Sequence, residues 1–106
     1  MDKIVNVNLS EFQGRILSGR ERGTQARELM SIDKLDQGND KVHVTFPTGL
    51  WSVSSSFFLG MFGPSIIAAG TKDAFKNRYS FETKDSIKKL IDGYIDFALQ
   101  NRNIFG

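Results

Sequence analysis

Lys41-Val42-His43-Val44-Thr45-Phe46-Pro47-Thr48-Gly49, followed by Leu50-Trp51-Ser52-Val53 and then Ser54-Ser55-Ser56-Phe57-Phe58-Leu59, is the stretch on which the fold turns. Val42, Val44 and Phe46 alternate with His43 and Thr45, and apolar, β-branched residues at period two fit a pleated, half-buried strand. Pro47 has no N–H to give a ladder, so the strand stops there and Pro47-Thr48-Gly49 makes a turn. The serine hydroxyls can cap a helix that carries Phe57, Phe58, Leu59, Met61, Phe62, Ile66 and Ile67, with Pro64 expected to kink or restart it. A central strand feeding a helix in this way is the signature of an α/β domain.

Upstream, Ile4, Val5, Val7 and Leu9 alternate with Asn6 and Asn8 in a first strand. Arg15-Ile16-Leu17, bounded by Gly14 and Gly19, is either an edge strand or an ordered loop. Thr24 then serves as an N-cap, and Ala26, Leu29, Met30 and Leu35 recur near the helical period until Gln37-Gly38. Downstream, Thr71 to Asn77 fits one helical turn and Arg78 to Glu82 a short strand. Thr83 caps a long helix in which Ile87, Leu90, Ile91, Tyr94, Ile95 and Ala98 form one apolar stripe, opposite Lys84, Lys88, Lys89, Asp92 and Asp96. The expected architecture is one α/β domain over residues 1–106, with a small mixed sheet of about four strands packed by three to four helices.

A chain of 106 residues that is 40% apolar can bury one core and has no room for a second domain. Without cysteine it has neither disulfides nor thiolate chemistry, and the cytoplasm is the expected compartment. No apolar run reaches the ~18 residues of a membrane span, and no signal peptide is visible. Fourteen basic against twelve acidic residues give a net charge of +2, too mild to argue for nucleic acid. One local concentration stands out: Arg15, Arg20, Arg22 and Arg27, interleaved with Gly14, Gly19 and Gly23. Arginine forks and closely approaching backbone amides suit an anion, whereas a solvated loop beside a helix start needs none.

Catalysis finds little support. His43 is the one histidine, sits inside the central strand and reads as a sheet residue; no second histidine or cysteine accompanies it. Carboxylates do not gather around it at metal spacing, and neither a GxxxxGK[ST] phosphate loop nor a Gly-x-Ser-x-Gly elbow occurs. No enzyme activity, metal or cofactor is expected.

The order of central strand, glycine turn, short loop and serine-started helix resembles the core of STAS-like domains, relatives of the anti-sigma factor antagonists. Thr48-Gly49 matches the Ser-Gly turn of those antagonists, and Ser55 falls at or beside their phosphorylatable serine. Gly23-Thr24-Gln25-Ala26-Arg27-Glu28-Leu29 is similar to the start of the family's first helix. The resemblance spans roughly residues 14 to 82. It implies a regulatory protein-binding module whose partner is an ATPase of the histidine-kinase type; self-association is left open.

The residues alone give Ser55 a physical rationale. A phosphoryl group at a helix N-terminus meets free amides and the positive end of the helix dipole, and adds about −1.5 to −2 charge. The commoner role of Ser54, Ser55 and Ser56 is simply to cap. The expected docking surface runs from Thr48 to Phe62, with Trp51, Phe57 and Met61 as its apolar part, because the helix carries more apolar side chains than one face can hide. Two other readings stand beside it: a nucleotide or nucleic-acid phosphate held by Arg20, Arg22 and Arg27, and a small inhibitor carried by a phage or other mobile element.

Overall fold

A computed structural model describes residues 3–12 and 14–101. In chain order the elements are β1 (Ile4–Asn8), β2 (Ile16–Leu17), α1 (Arg20–Leu29), α2 (Ile32–Gln37), β3 (Lys41–Thr45), β4 (Ser52–Val53), α3 (Ser55–Ala69), α4 (Lys72–Arg78), β5 (Tyr79–Glu82) and α5 (Asp85–Gln100). The fold is α/β, with β3 central as its alternation requires. The strands do not form one mixed sheet. They form a three-stranded sheet in the order β1-β3-β5 and a separate two-stranded sheet of β2 and β4, and every pairing is parallel. Helices lie between every pair of ladder neighbours along the chain, so no two of them are joined by a hairpin.

The two faces of the larger sheet differ. Val5, Val7, Val42, Val44, Tyr79 and Phe81 share one face by register, and against it pack Phe58 and Phe62 of α3, whose rings lie 5.6 and 5.3 Å from that of Phe81. The other face carries Ile4, Asn6, Asn8, Lys41, His43, Thr45, Ser80 and Glu82, all exposed or half-buried, and the end of α4, Lys76 to Arg78, borders it. Parallel sheets are ordinarily covered on both sides; here the open side is made polar instead.

α3 is the hub. It is apolar around its whole circumference because it has neighbours around it: α1, α5, α4 and the sheet all pack on it, and Phe57 through Gly63 are buried. Phe57 and Met61 are therefore core residues, 1% and 0% exposed, and not the docking side chains expected from the sequence. Pro64 lies inside one continuous helix, so the helix does not restart there, and the proline leaves the Gly60 carbonyl without the amide it would ordinarily receive.

The crossing of α1 and α3 explains two glycines. A Cβ on Gly60 would lie 2.5 Å from the Arg20 carbonyl oxygen, and one on Gly23 would fall on the carbonyl oxygen of Phe57. The helices touch backbone to backbone, a distance only glycine permits. Consequently α1 begins at Arg20 after Gly19, whose φ is 92°, and Thr24 is an interior residue, not its cap. What reads as one helix to Gln37 is two, because Ser31 adopts a left-handed conformation, φ 55°, between α1 and α2. The first residue of the strand read from Arg78 closes α4 instead, and α5 starts after Lys84 with no side-chain cap, so Thr83 does not cap it.

Candidate functional site

Ser54 is the N-cap of α3. Its hydroxyl accepts from the Phe57 amide at 3.1 Å, and its own amide donates to the Leu17 carbonyl at 2.8 Å, which fixes the helix start to β2. Ser55, the first helical residue, and Ser56 are exposed. The cap is thus Ser54, and the Ser55 hydroxyl is left out of the capping bond.

Around Ser55 lies a groove of about 440 Å³, lined by Ser55, Lys89, Leu90, Gly93, Tyr94 and Phe97. Ile87, Ile91, Ile95 and Ala98 bury the stripe of α5, but Leu90 is 37% exposed and Phe97 47%. Leu90, read from the sequence as core, instead stands at the groove. Gly93 opens its floor, since nothing lies within 4 Å of a Cβ placed there. Tyr94 ties this face to β4 by donating its hydroxyl to the Val53 carbonyl at 2.8 Å, and burial pushes that phenol's pKa up.

β4 links this groove to Trp51. The indole is 61% exposed, with the Arg15 guanidinium 4.7 Å from its ring centroid, a cation–π contact held by the Trp51 amide donating to the Arg15 carbonyl at 2.6 Å. Ile16, opposite Ser52 in the ladder, is 52% exposed. Among the described residues, four of the six exposed large apolar side chains (Ile16, Trp51, Leu90 and Phe97) thus lie beside β4 or the first turn of α3, the remaining two being Ile4 and Leu29. Thr48 and Gly49 are exposed but elsewhere: Thr48 lines a separate pocket of about 260 Å³ at the carboxyl ends of β3 and β5.

The arginine segment does not form one site. Arg27 is only 7% exposed and spends its guanidinium internally, donating to Met61 O at 2.7 Å, Ser65 Oγ at 2.9 Å, Asp33 Oδ1 at 2.8 Å and Asp36 Oδ2 at 3.1 Å. Asp36 also accepts from the hydroxyls of Ser65 and Tyr79, and Arg78 donates to the carbonyls of Leu35, Asp36 and Asp40. Burial, with the Asp36 carboxylate beside it, holds the Tyr79 phenol far above the ordinary tyrosine range. This network joins α1, α2, α3 and β5, and leaves no buried side-chain polar atom unpaired among the described residues. Arg20 and Arg22 remain on the exposed side of α1, away from it, and Gly23 serves the helix crossing instead of a ligand.

His43 lies on the open sheet face, its Nδ1 2.7 Å from Ser80 Oγ and its Nε2 3.5 Å from Glu82 Oε1. A hydroxyl beside an imidazole is a nucleophile and base pair in outline. The backbone amides of His43 and Ser80 are committed to the strand ladders, however, so neither is available as an oxyanion donor. No group of three or more metal-ligating side chains exists among the described residues, and none of their helices is long and apolar enough to cross a membrane.

Compared with protein-family models, curated proteins and solved structures, the chain matches none.

Proposed function

We propose that this chain is a non-catalytic regulatory module that docks a protein partner at the first turn of α3, in the manner its STAS-like sequence pattern implies. The observation that carries the reading is the groove itself. It combines an exposed serine at the start of a 15-residue helix with exposed Leu90 and Phe97, and sets Lys89 beside them. Apolar surface gathered on one side of a small domain is characteristic of an interface. A phosphoryl group on Ser55 would gain the helix dipole and the Lys89 ammonium while adding charge to an apolar rim, so it would leave the fold intact and alter the docking. The proposed partner is an ATPase of the histidine-kinase type, met in the cytoplasm.

The decisive experiment is a titration of the chain against such an ATPase domain encoded in the same genome, beside thermal melts. Ser55→Asp is expected to melt as the parent does and to bind at least about tenfold more weakly, a difference of ~1.4 kcal/mol. Ser55→Ala should bind like the parent. Equal binding by both variants would remove the switch, and failure of the parent chain to bind would remove the partner.

A further inference from the structure

Among the described residues the outer edge of β1 has no partner, and its sequence is suited to itself. The Lys41 amide donates to Lys3 O at 2.9 Å and the Leu9 amide to Thr45 O at 2.8 Å, so the odd-numbered residues of this segment turn their backbone groups toward β3. By the alternation of a ladder, Ile4, Asn6 and Asn8 turn theirs the other way, and there they meet no acceptor or donor among the described residues. Edge strands are ordinarily guarded by a charge, a proline, a bulge or a covering element. Among the described residues β1 itself carries none of these guards: Ile4-Val5-Asn6-Val7-Asn8 is uncharged and free of proline, it pairs in register along its whole length, and Ile4 is 60% exposed; the nearest charge on the edge is Lys3, which precedes the strand. The opposite edge, β5, is shorter and ends in Glu82.

We infer that β1 is a self-association edge, at which a second copy of this chain adds its own β1 antiparallel across a two-fold axis through Asn6. That register sets Ile4 opposite Asn8 of the second copy and Asn6 opposite Asn6, and it is the one antiparallel register that uses all three outward residues of both strands. From Ile4 to Ser10 the chain carries no formal charge, so no like charges oppose one another across the axis. A two-fold perpendicular to the sheet keeps both helical layers on the same side and extends the open polar face into a six-stranded one. The contact is small and built on backbone bonds, so the dimer is weak and concentration-dependent.

The absence of cysteine from the chain makes the register directly readable. Directly opposed residues of a hydrogen-bonded antiparallel pair have Cα atoms about 5.5 Å apart, within disulfide reach. Under mild oxidation the Asn6→Cys chain should couple to itself at least about tenfold faster than the Asn8→Cys chain, through effective concentration at the axis. A mixture of Ile4→Cys and Asn8→Cys chains should yield the mixed disulfide in preference to either self-coupled product. All three positions are exposed, and melts of the reduced variants report whether each retains the fold. Sedimentation supplies an independent arm: the parent should associate with rising concentration, and Asn6→Lys, which guards the edge, should not. Equal self-coupling of the Asn6→Cys and Asn8→Cys chains, or a parent that stays monomeric to about millimolar concentration, would overturn the inference.

Discussion

The first two residues of α3 and the stretch that follows them are adjacent in sequence and lie in different physical environments. From Phe57 to Gly63 the helix is enclosed, with its glycine crossing to α1 and its rings against β5, and Met61 O and Ser65 Oγ enter the Arg27 network; farther on, Pro64 and Ala68 return to the surface. At Ser55 and Ser56 it is open to solvent and to a groove rimmed by partly exposed apolar side chains. One element thus fixes the core and presents a surface. Apolar excess in a helix therefore does not mark that helix as an interface; the exposed apolar side chains come from α5 and from Trp51 and Ile16 beside β4, which the helix start brings together.

The enclosed end can be tested hardest through Arg27. Arg27→Ala would leave the Asp36 carboxylate without its guanidinium at a site where Ser65 and Tyr79 already converge, and removing one partner of such a pair costs about 3 to 5 kcal/mol. Urea denaturation reads this loss; a cost of less than about 1 kcal/mol would mean the two ends of α3 are not held differently. The junction between them is Ser54. Ser54→Ala removes the bond from the Phe57 amide and should lower stability by about 1 kcal/mol without changing partner affinity. The open end should respond in the opposite sense. Phe97→Ser is expected to cost no more than about 1.5 kcal/mol of stability, because the residue is only half buried, while weakening partner binding by more than about 1 kcal/mol. A large loss of stability from Phe97→Ser would make the groove part of the core and erase the contrast.

Local patterns in the sequence reach some of this architecture. The alternation in Lys41–Thr45 marks the central strand, and the stripe of Ile87, Ile91, Ile95 and Ala98 marks the buried side of α5, because each depends on a periodicity its own segment displays. The start of α1 is hidden for the converse reason. Gly-Arg-Glu-Arg-Gly reads as a loop, and Gly23 weakens a helix in isolation; only the backbone of Phe57, far along the chain, explains it. The break at Ser31 has no glycine or asparagine to announce it. β2 and β4 are two residues each, too short to show a period, so the division into two sheets is invisible. At the candidate site, Ser54 to Ser56 and Trp51 are legible as residue types at a helix entry. Leu90 is absorbed into the apparent stripe of α5, and Phe97, apolar but off that stripe, is the one sequence signal that a second face exists.

The all-parallel ladder has a consequence for how the chain reaches this fold. β1 meets β3 only after α1 and α2 have been laid down between them, and β3 meets β5 only after α3 and α4. No strand pair can therefore close through a short turn, and the entropy of each large loop is spent before any ladder bond forms. Topology therefore predicts that the sheet forms late, on the aromatic face that α3 presents to it. Until β1 is seated, β3 presents an unpaired edge to solution, so refolding at high concentration favours association between chains and dilution favours the native fold.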